Sequence, residues 1–125
     1  MFILTLALVA SPTCLAIDGD TLRCGRERIR LVGIDAPEMG NCPRHRRCAP
    51  GDPVESKASL AAALVGVIKI ERVGYDRYGR TLATVRSARG DLSCWQLTRG
   101  RATYRVDWDN DGRVAARCSA VARRS

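Results

Sequence analysis

The chain has 125 residues, which is enough for one domain with a single hydrophobic core and too few for two. Lys and Arg number 21 against 13 Asp and Glu, so the formal charge is +8, and only Lys57 and Lys69 are lysines. Arginine binds phosphate groups bidentately. We therefore expect a polyanionic partner, nucleic acid or less often an anionic membrane, unless the arginines serve only solubility.

The N-terminal stretch MFILTLALVA, residues 1–10, is apolar throughout and too short to cross a bilayer. It resembles the hydrophobic region of a signal peptide, although a positively charged start and a clean cleavage site are missing. The alternative is an ordinary first strand. We expect a signal-peptide region at 1–10 and one domain at 11–125. The protein is then secreted or periplasmic, with no membrane contact after signal removal.

Short runs of apolar residues separated by turn sequences predict five strands, at 14–17, 21–24, 28–34, 67–73 and 80–85. Asp52 followed by Pro53 predicts the start of a helix that runs through Leu64. Asp91 caps a second helix that ends at Gly100, and a third helix is expected at 113–123. This order predicts an α+β fold, a five-stranded OB-type Greek-key barrel with about three helices.

The six cysteines are an even number and contain no CxxC pair, which suits disulfides in an exported protein rather than a zinc ribbon. Six cysteines allow 15 pairings, and the sequence alone does not choose among them. The predicted elements favour one set. Cys14 and Cys24 flank the first turn, Cys42 and Cys48 close a turn-rich loop, and Cys94 and Cys118 fall on the last two helices.

Four groups of polar residues stand out: DGDT at 18–21, Arg30, DAPE at 35–38 and DRYGR at 76–80. Each is a weak signal alone. Together, in this order and in a basic chain with OB-like element order, they resemble the staphylococcal (micrococcal) nuclease family. The resemblance extends over about residues 14–105.

The resemblance implies specific roles at the reacting phosphate. Arg30 and Arg80 match the catalytic arginines, which would stabilise the negative charge of a five-coordinate phosphate. Glu38 matches the general base toward water. Asp20 and Asp35 match calcium ligands, joined by a backbone carbonyl at the next position. That position is Ala36 here, where the family commonly has Thr, so a carbonyl ligand is retained and a hydroxyl contact is not.

The resemblance also implies contacts to the rest of the substrate. Arg77, in place of the family's lysine, and Tyr78 match contacts to a neighbouring phosphate. Trp108, which aligns better than Tyr104, matches an aromatic residue that stacks on a base. The alternative is that one or both of these aromatic side chains pack in the core.

Two further features invite other assignments. Asp107, Asp109 and Asp111 before a glycine look like half of an EF-hand loop, but Cys118 stands where the bidentate glutamate belongs. We interpret this stretch as a polar turn that caps the last helix, with weak accessory calcium binding as the alternative. His45 is the single histidine, and we expect it in an exposed basic loop that contacts nucleic acid rather than as a general base.

The sequence therefore predicts a calcium-dependent, sequence-nonspecific nuclease that acts on DNA and RNA and, by the resemblance, leaves 3′-phosphates. We expect a monomer and infer no protein partner. The alternative is a non-catalytic nucleic-acid-binding OB module, although Arg30, Glu38 and Arg80 are all present. A calcium-binding surface protein built on the Asp-rich turn would leave the four polar groups unexplained.

Overall fold

The computed structural model describes residues 13–122 of the chain. The main sheet has the strand order β1-β2-β3-β6-β5, in which β3 and β6 are parallel and the other pairs antiparallel. Its strands are β1 (Cys14–Ala16), β2 (Thr21–Cys24), β3 (Glu27–Leu31), β5 (Lys69–Tyr75) and β6 (Thr81–Ser87). Three two-residue strands complete the set: β4 (Ile34–Asp35) pairs with β8 (Thr103–Tyr104), and β7 (Gly90–Asp91) pairs with β6. The predicted α+β OB-type architecture is confirmed.

Within residues 13–122, four α-helices and one 3-10 helix accompany the strands: α1 (Pro53–Ala63), α2 (Leu92–Thr98), α3 (Arg113–Arg117), α4 (Ser119–Ala122) and the 3-10 helix Val106–Trp108. Both predicted caps are present. The Asp52 carboxylate accepts hydrogen bonds from the N–H groups of Val54 and Glu55. The Asp91 carboxylate accepts one from the N–H of Cys94. These bonds satisfy backbone donors that the first helical turn leaves free.

One core holds the sheet and helices together. Leu22, Ile29 and Leu31 of the sheet are fully buried with Leu60 of α1 and Leu97 of α2. Each such side chain contributes roughly 1.5–3 kcal/mol on burial. The core lies behind the strands that carry the predicted site, so it fixes their relative positions.

The third strand ends earlier than predicted because the chain turns at Gly33. Its φ of +79° is accessible to glycine at little cost, and a Cβ there would lie 2.9 Å from Cγ2 of Val114. The Gly33 N–H donates to the carbonyl of Trp108, and its carbonyl accepts from the N–H of Arg105. The predicted strand 28–34 is therefore two strands, β3 and β4, with a turn between them.

The predicted last helix is also divided. Cys118 adopts an extended conformation (φ −130°, ψ 109°) between α3 and α4, and its sulfur is bonded to Cys94. The predicted end of this helix at residue 123 lies outside the described residues. The fourth strand is shifted toward the C-terminus and continues to Tyr75, with a bulge between Arg72 and Gly74.

The favoured disulfide pairing is confirmed: Cys14–Cys24, Cys42–Cys48 and Cys94–Cys118 are bonded. The predicted signal-peptide region at 1–10 lies outside the described residues. Within residues 13–122, every helix is too short or too polar to cross a membrane.

Glu27 joins three strands through its carboxylate. Oε1 and Oε2 accept two hydrogen bonds from the Arg72 guanidinium of β5, at 2.6 and 2.8 Å, and Oε2 accepts a third from the Thr81 hydroxyl at 2.8 Å. The hydrogen bonds from Arg72, and then that from Thr81, lower the pKa of Glu27 to about 2, from an ordinary value of 4.5. The ionised form therefore stabilises the fold.

We predict that Glu27→Gln lowers the free energy of unfolding at neutral pH by about 1 kcal/mol. Because the pKa of Glu27 is lower in the folded chain than in the unfolded chain, its contribution is fully present above pH 4.5. It is lost as the pH falls from 4.5 toward about 2. Urea unfolding of both proteins across this range should show the difference shrinking.

Glu55→Gln is the matched control, because Glu55 forms one exposed ion pair with Arg101. It should cost less than about 0.5 kcal/mol. A difference between wild type and Glu27→Gln that does not change with pH would contradict the prediction.

Candidate active site

A cleft of about 710 Å³ opens beside the ends of β2, β3 and β6. It brings together groups that are far apart in the sequence. All the predicted site residues except Asp35 line it, namely Asp20, Arg30, Ala36, Glu38, Arg77, Tyr78, Arg80 and Trp108. This convergence is a tertiary property that the order of the motifs could only suggest.

The DGD turn between β1 and β2 is held from behind by two helices. The carbonyl of Gly19 accepts a hydrogen bond from Nε2 of Gln96, a buried side chain of α2, at 2.7 Å. A Cβ at Gly19 would lie 1.8 Å from Oγ of Ser56 in α1. The turn therefore has no room for a side chain at its centre, and its two aspartates face the cleft.

Asp20 connects the DGD turn to the DAPE segment. Its Oδ1 accepts a hydrogen bond from the Thr21 hydroxyl at 2.9 Å, and its Oδ2 accepts one from the Ala36 N–H at 2.9 Å. The same Oδ2 lies 3.3 Å from the Arg30 guanidinium. Asp20 is buried apart from its exposure to the cleft.

The two aspartates of the turn differ in protonation. Burial raises the pKa of Asp18 to about 7, and its hydrogen bond with Asp20 adds to this effect. Burial acts in the same direction on Asp20. The Arg30 guanidinium and the hydrogen bonds that Asp20 accepts outweigh it, and the pKa of Asp20 is lowered. Asp20 is therefore the member of the pair that stays ionised near neutral pH.

Arg30 is buried and makes contacts on several sides. Its Nη1 donates to the carbonyl oxygens of Leu31, at 3.2 Å, and Ile34, at 2.8 Å, and its Nη2 lies 3.9 Å from Oδ1 of Asp35. Its guanidinium carbon lies 5.2 Å from the ring centre of Trp108. The side chain is thus fixed in place before any ligand arrives.

Asp35 lies beneath the cleft rather than in its wall, with 2% of the residue exposed. Its Oδ1 is 3.1 Å from Nη2 of Arg46, and its Oδ2 is 4.0 Å from Nη1 of Arg105. Burial raises the pKa of Asp35, and the charges of Arg46 and then Arg30 oppose that rise. The neighbours of this carboxylate are therefore mainly arginines.

Arg46 is the site residue that the sequence did not single out. Its Nη1 donates to Oε1 of Glu38 while its Nη2 donates to Oδ1 of Asp35, so one guanidinium bridges the predicted base and a predicted metal ligand. Arg46 lies in the loop closed by Cys42–Cys48. The sequence predicted a basic, exposed loop here, and His45 is indeed exposed at the cleft wall.

The DRYGR segment forms a turn around Asp76. Its Oδ1 accepts hydrogen bonds from the N–H groups of Tyr78 and Arg80, both at 2.9 Å, and its Oδ2 accepts one from Nε of Arg80 at 2.6 Å. Tyr78 is exposed and has the guanidinium carbons of Arg77 and Arg80 at 5.0 and 5.6 Å from its ring centre. Asp76 therefore orients Arg80 at the cleft.

The two aromatic residues after α2 have separate positions. Trp108 lines the cleft, half-buried, with Arg30 on one side and Arg105 at 4.3 Å from its ring centre. Tyr104 does not line the cleft, and its hydroxyl donates to Oδ2 of Asp109 at 2.6 Å. Burial, followed by this hydrogen bond, raises the pKa of Tyr104 to about 12.

The Asp-rich turn caps α3, as predicted. Asp109 is fully buried, and its carboxylate accepts hydrogen bonds from the N–H groups of Val114, at 2.6 Å, and Ala115, at 3.0 Å, as well as from Tyr104. Its oxygens are committed to these three donors. In the described part of the chain, no group of three or more His, Cys, Asp or Glu side chains is arranged to hold a metal ion.

The predicted calcium ligands fit a loosely held hard cation. One oxygen each of Asp20 and Asp35 lies within 3.9 Å of the Arg30 guanidinium, so the two carboxylates converge from two segments. All the donors are oxygen atoms, which calcium prefers. Asp20, Asp35 and the carbonyl of Ala36 are the groups that would hold such a cation.

We predict that Asp109→Ala lowers the free energy of unfolding by roughly 3 kcal/mol, because three donors, one of them fully buried, lose their shared acceptor. The loss should be the same in excess calcium and in a chelator. Asp107→Asn, at an exposed position of the same turn, should cost less than about 0.5 kcal/mol. A calcium-dependent cost at Asp109 in urea unfolding would show that this turn binds metal.

Comparison with known proteins identifies the family of the chain. Residues 28–123 match the sequence profile of the Staphylococcal nuclease homologue family. The chain is also similar to the succinoglycan biosynthesis protein ExoI of Rhizobium meliloti (strain 1021), with 36% identity over 104 residues. That match covers 80% of this chain and 54% of ExoI, so the chain spans about half the length of that relative. The chain belongs to the staphylococcal nuclease homologue family, which indicates a nuclease or nucleic-acid-binding role.

Proposed function

We propose that the protein is a calcium-dependent nuclease that hydrolyses phosphodiester bonds of DNA and RNA with little sequence preference. The observation that carries this proposal is the convergence of Arg30, Arg80 and Glu38 on one cleft beside the converging carboxylates of Asp20 and Asp35. Family membership supports the same reaction class.

Hydrolysis requires a water molecule to add to phosphorus and a bond to oxygen to break. Glu38 accepts the proton of that water. Arg30 and Arg80 stabilise the charge that develops on the five-coordinate phosphate. A calcium ion held by Asp20, Asp35 and the Ala36 carbonyl supplies further charge stabilisation when bound. Breaking the P–O5′ bond leaves a 3′-phosphate on one product and a 5′-hydroxyl on the other.

The remaining cleft residues suit a single-stranded substrate. Arg77 and Tyr78 contact a phosphate next to the scissile one. Trp108 offers an aromatic surface on which any base stacks, which gives affinity without a strong choice of sequence. Glu38 must release Arg46 before it can act as a base, because the two side chains are paired in the free protein.

We further propose that the protein works in an oxidising compartment, secreted or periplasmic. All six cysteines are paired in three disulfides. Disulfides persist in such compartments and are rare in reducing ones.

A non-catalytic nucleic-acid-binding role is the second candidate. The pairing of Glu38 with Arg46, and the burial of Asp35 beneath the cleft, favour it. A binding module would keep affinity for nucleic acid and show no cleavage. The following experiment separates the two.

The oxidised protein is incubated with single-stranded DNA and with RNA, in calcium and in a chelator, and the products are resolved on a gel. We expect cleavage in calcium alone. Glu38→Gln and Arg80→Ala should each lower the rate by about 100-fold or more while keeping the wild-type circular dichroism spectrum.

Arg89→Ala is the control, because Arg89 lies over Trp95 and away from the cleft. It should keep the wild-type rate. Wild-type activity in Glu38→Gln would refute the role of that residue. Binding without cleavage in any condition would favour the non-catalytic module.

The bridging position of Arg46 gives a separate prediction. Removing its positive charge leaves Asp35 and Glu38 without their shared cation, so Arg46→Gln should raise the affinity for calcium by roughly three- to tenfold. Titration calorimetry measures this without any substrate. Arg44→Gln removes the same charge from the same loop and should change the affinity less than twofold. Equal effects of both substitutions would contradict a specific contribution of Arg46.

A further inference from the structure

Two arginines face each other outside the cleft. Arg23 of β2 and Arg28 of β3 are directly opposite in the antiparallel register, and both are exposed. Side chains at opposite positions project from the same face of a sheet, and like charges there are destabilising. The repulsion between the charges of Arg23 and Arg28 therefore destabilises the folded state.

No carboxylate of residues 13–122 lies within ion-pair distance of Arg23 or Arg28. The adjacent Glu27 is already engaged by Arg72 and Thr81. Arg28 donates to the carbonyl of Tyr78 at 2.6 Å, which orients the guanidinium but does not cancel its charge. The positive charge of the pair is therefore available to an external anion.

This pair lies on the same face as the cleft residues. Arg28 and Arg30 are two residues apart on β3, so their side chains project from one face with their Cα atoms about 7 Å apart. Arg30 pairs with Leu82 in the parallel ladder, and the same register places Arg80 beside Arg28. The hydrogen bond from Arg28 to Tyr78 agrees with that placement.

Arg80, which directly precedes β6, consequently forms a row with Arg28 of β3 and Arg23 of β2, and neighbouring strands of this sheet are about 5 Å apart. We call these three residues the arginine row. The row begins at a cleft residue, Arg80, and ends at β1, where the exposed Leu15 is opposite Arg23. It therefore leads out of the cleft in one direction.

We propose that the arginine row binds the phosphate backbone of a single-stranded polynucleotide beyond the bond that is cut. This inference rests on the proposed function and specifies its substrate as a chain of several nucleotides rather than a very short one. The guanidinium groups of Arg28 and Arg23 can each make bidentate hydrogen bonds to one of two successive phosphates. A bound polyanion also relieves the repulsion between the two arginines.

The test uses the Glu38→Gln protein, so that the nucleic acid is not cut. Binding is measured by fluorescence anisotropy with oligothymidylates of about twelve and about three nucleotides, over a range of salt concentrations. Adding Arg23→Gln and Arg28→Gln should weaken binding of the longer strand about tenfold or more. Binding of the shorter strand should change less than about twofold. The slope of log affinity against log salt should fall by about 0.7 for each phosphate that the variant no longer binds.

Arg89→Gln with Arg117→Gln is the matched control. It removes the same charge from exposed positions that do not line the cleft, and it should leave binding of both strands nearly unchanged. The row variant should unfold at the same temperature as its parent or a higher one, because a repulsive pair is removed. A failure of the row variant to fold would contradict the assignment of this pair as repulsive and ligand-binding.

The other outcomes are distinct. This inference would be overturned if both double variants weakened binding of the longer strand equally, or if the row variant bound that strand as tightly as its parent. Either result would leave the proposed function intact. If the row variant lost binding to phosphatidylserine vesicles but kept its binding to nucleic acid, the row would be assigned to an anionic membrane instead. Failure of the parent to bind either strand would overturn the proposed function and this inference with it.

Discussion

The buried guanidinium of Arg30 is the contact on which the site depends. A buried charge is costly unless it is paired and hydrogen-bonded. Here the pairing comes from Asp20 and Asp35, and the hydrogen bonds go to the carbonyls of Leu31 and Ile34. These partners come from the DGD turn, from β3 and from β4. The charge therefore forces three segments to converge. The Arg30 cation helps to lower the pKa of Asp20, whereas burial still raises the pKa of Asp35, where the charge of Arg46 opposes that rise more than Arg30 does.

The free site is an array of arginines and carboxylates that partly neutralise one another. Arg46 bridges Asp35 and Glu38, and Arg80 is held by Asp76. In the nuclease proposed above, a bound cation would take the place of Arg46 beside the carboxylates, and the phosphates of the substrate would take the place of Asp76 beside Arg80. Binding then exchanges ion pairs rather than creating uncompensated charge, which keeps the desolvation cost of ligand binding low.

The sequence was sufficient for features that local chemistry decides. Asp52 and Asp91 cap helices because carboxylates accept from free N–H groups. The disulfide pairing was favoured by the order of the predicted elements, although the cysteine positions alone left 15 pairings open. Features that depend on contacts between residues far apart in the sequence could not be predicted. The turn at Gly33 follows from packing against residues eighty positions later in the chain, near Val114. Nothing in the spacing of the PRHRR loop shows that Arg46, rather than its neighbours, turns toward Asp35.

The three disulfides have a consequence for how the cleft is held together. Each closes a loop that carries part of the cleft: Cys14–Cys24 encloses the DGD turn, Cys42–Cys48 encloses Arg46, and Cys94–Cys118 encloses Trp108. Arg30, by contrast, lies in β3, and Arg80 directly precedes the neighbouring parallel strand β6. Three walls of the cleft are therefore closed by covalent bonds, whereas the two arginines are positioned by the hydrogen-bonded sheet. In the oxidising compartment proposed above, these three bonds would persist and hold the walls of the cleft together.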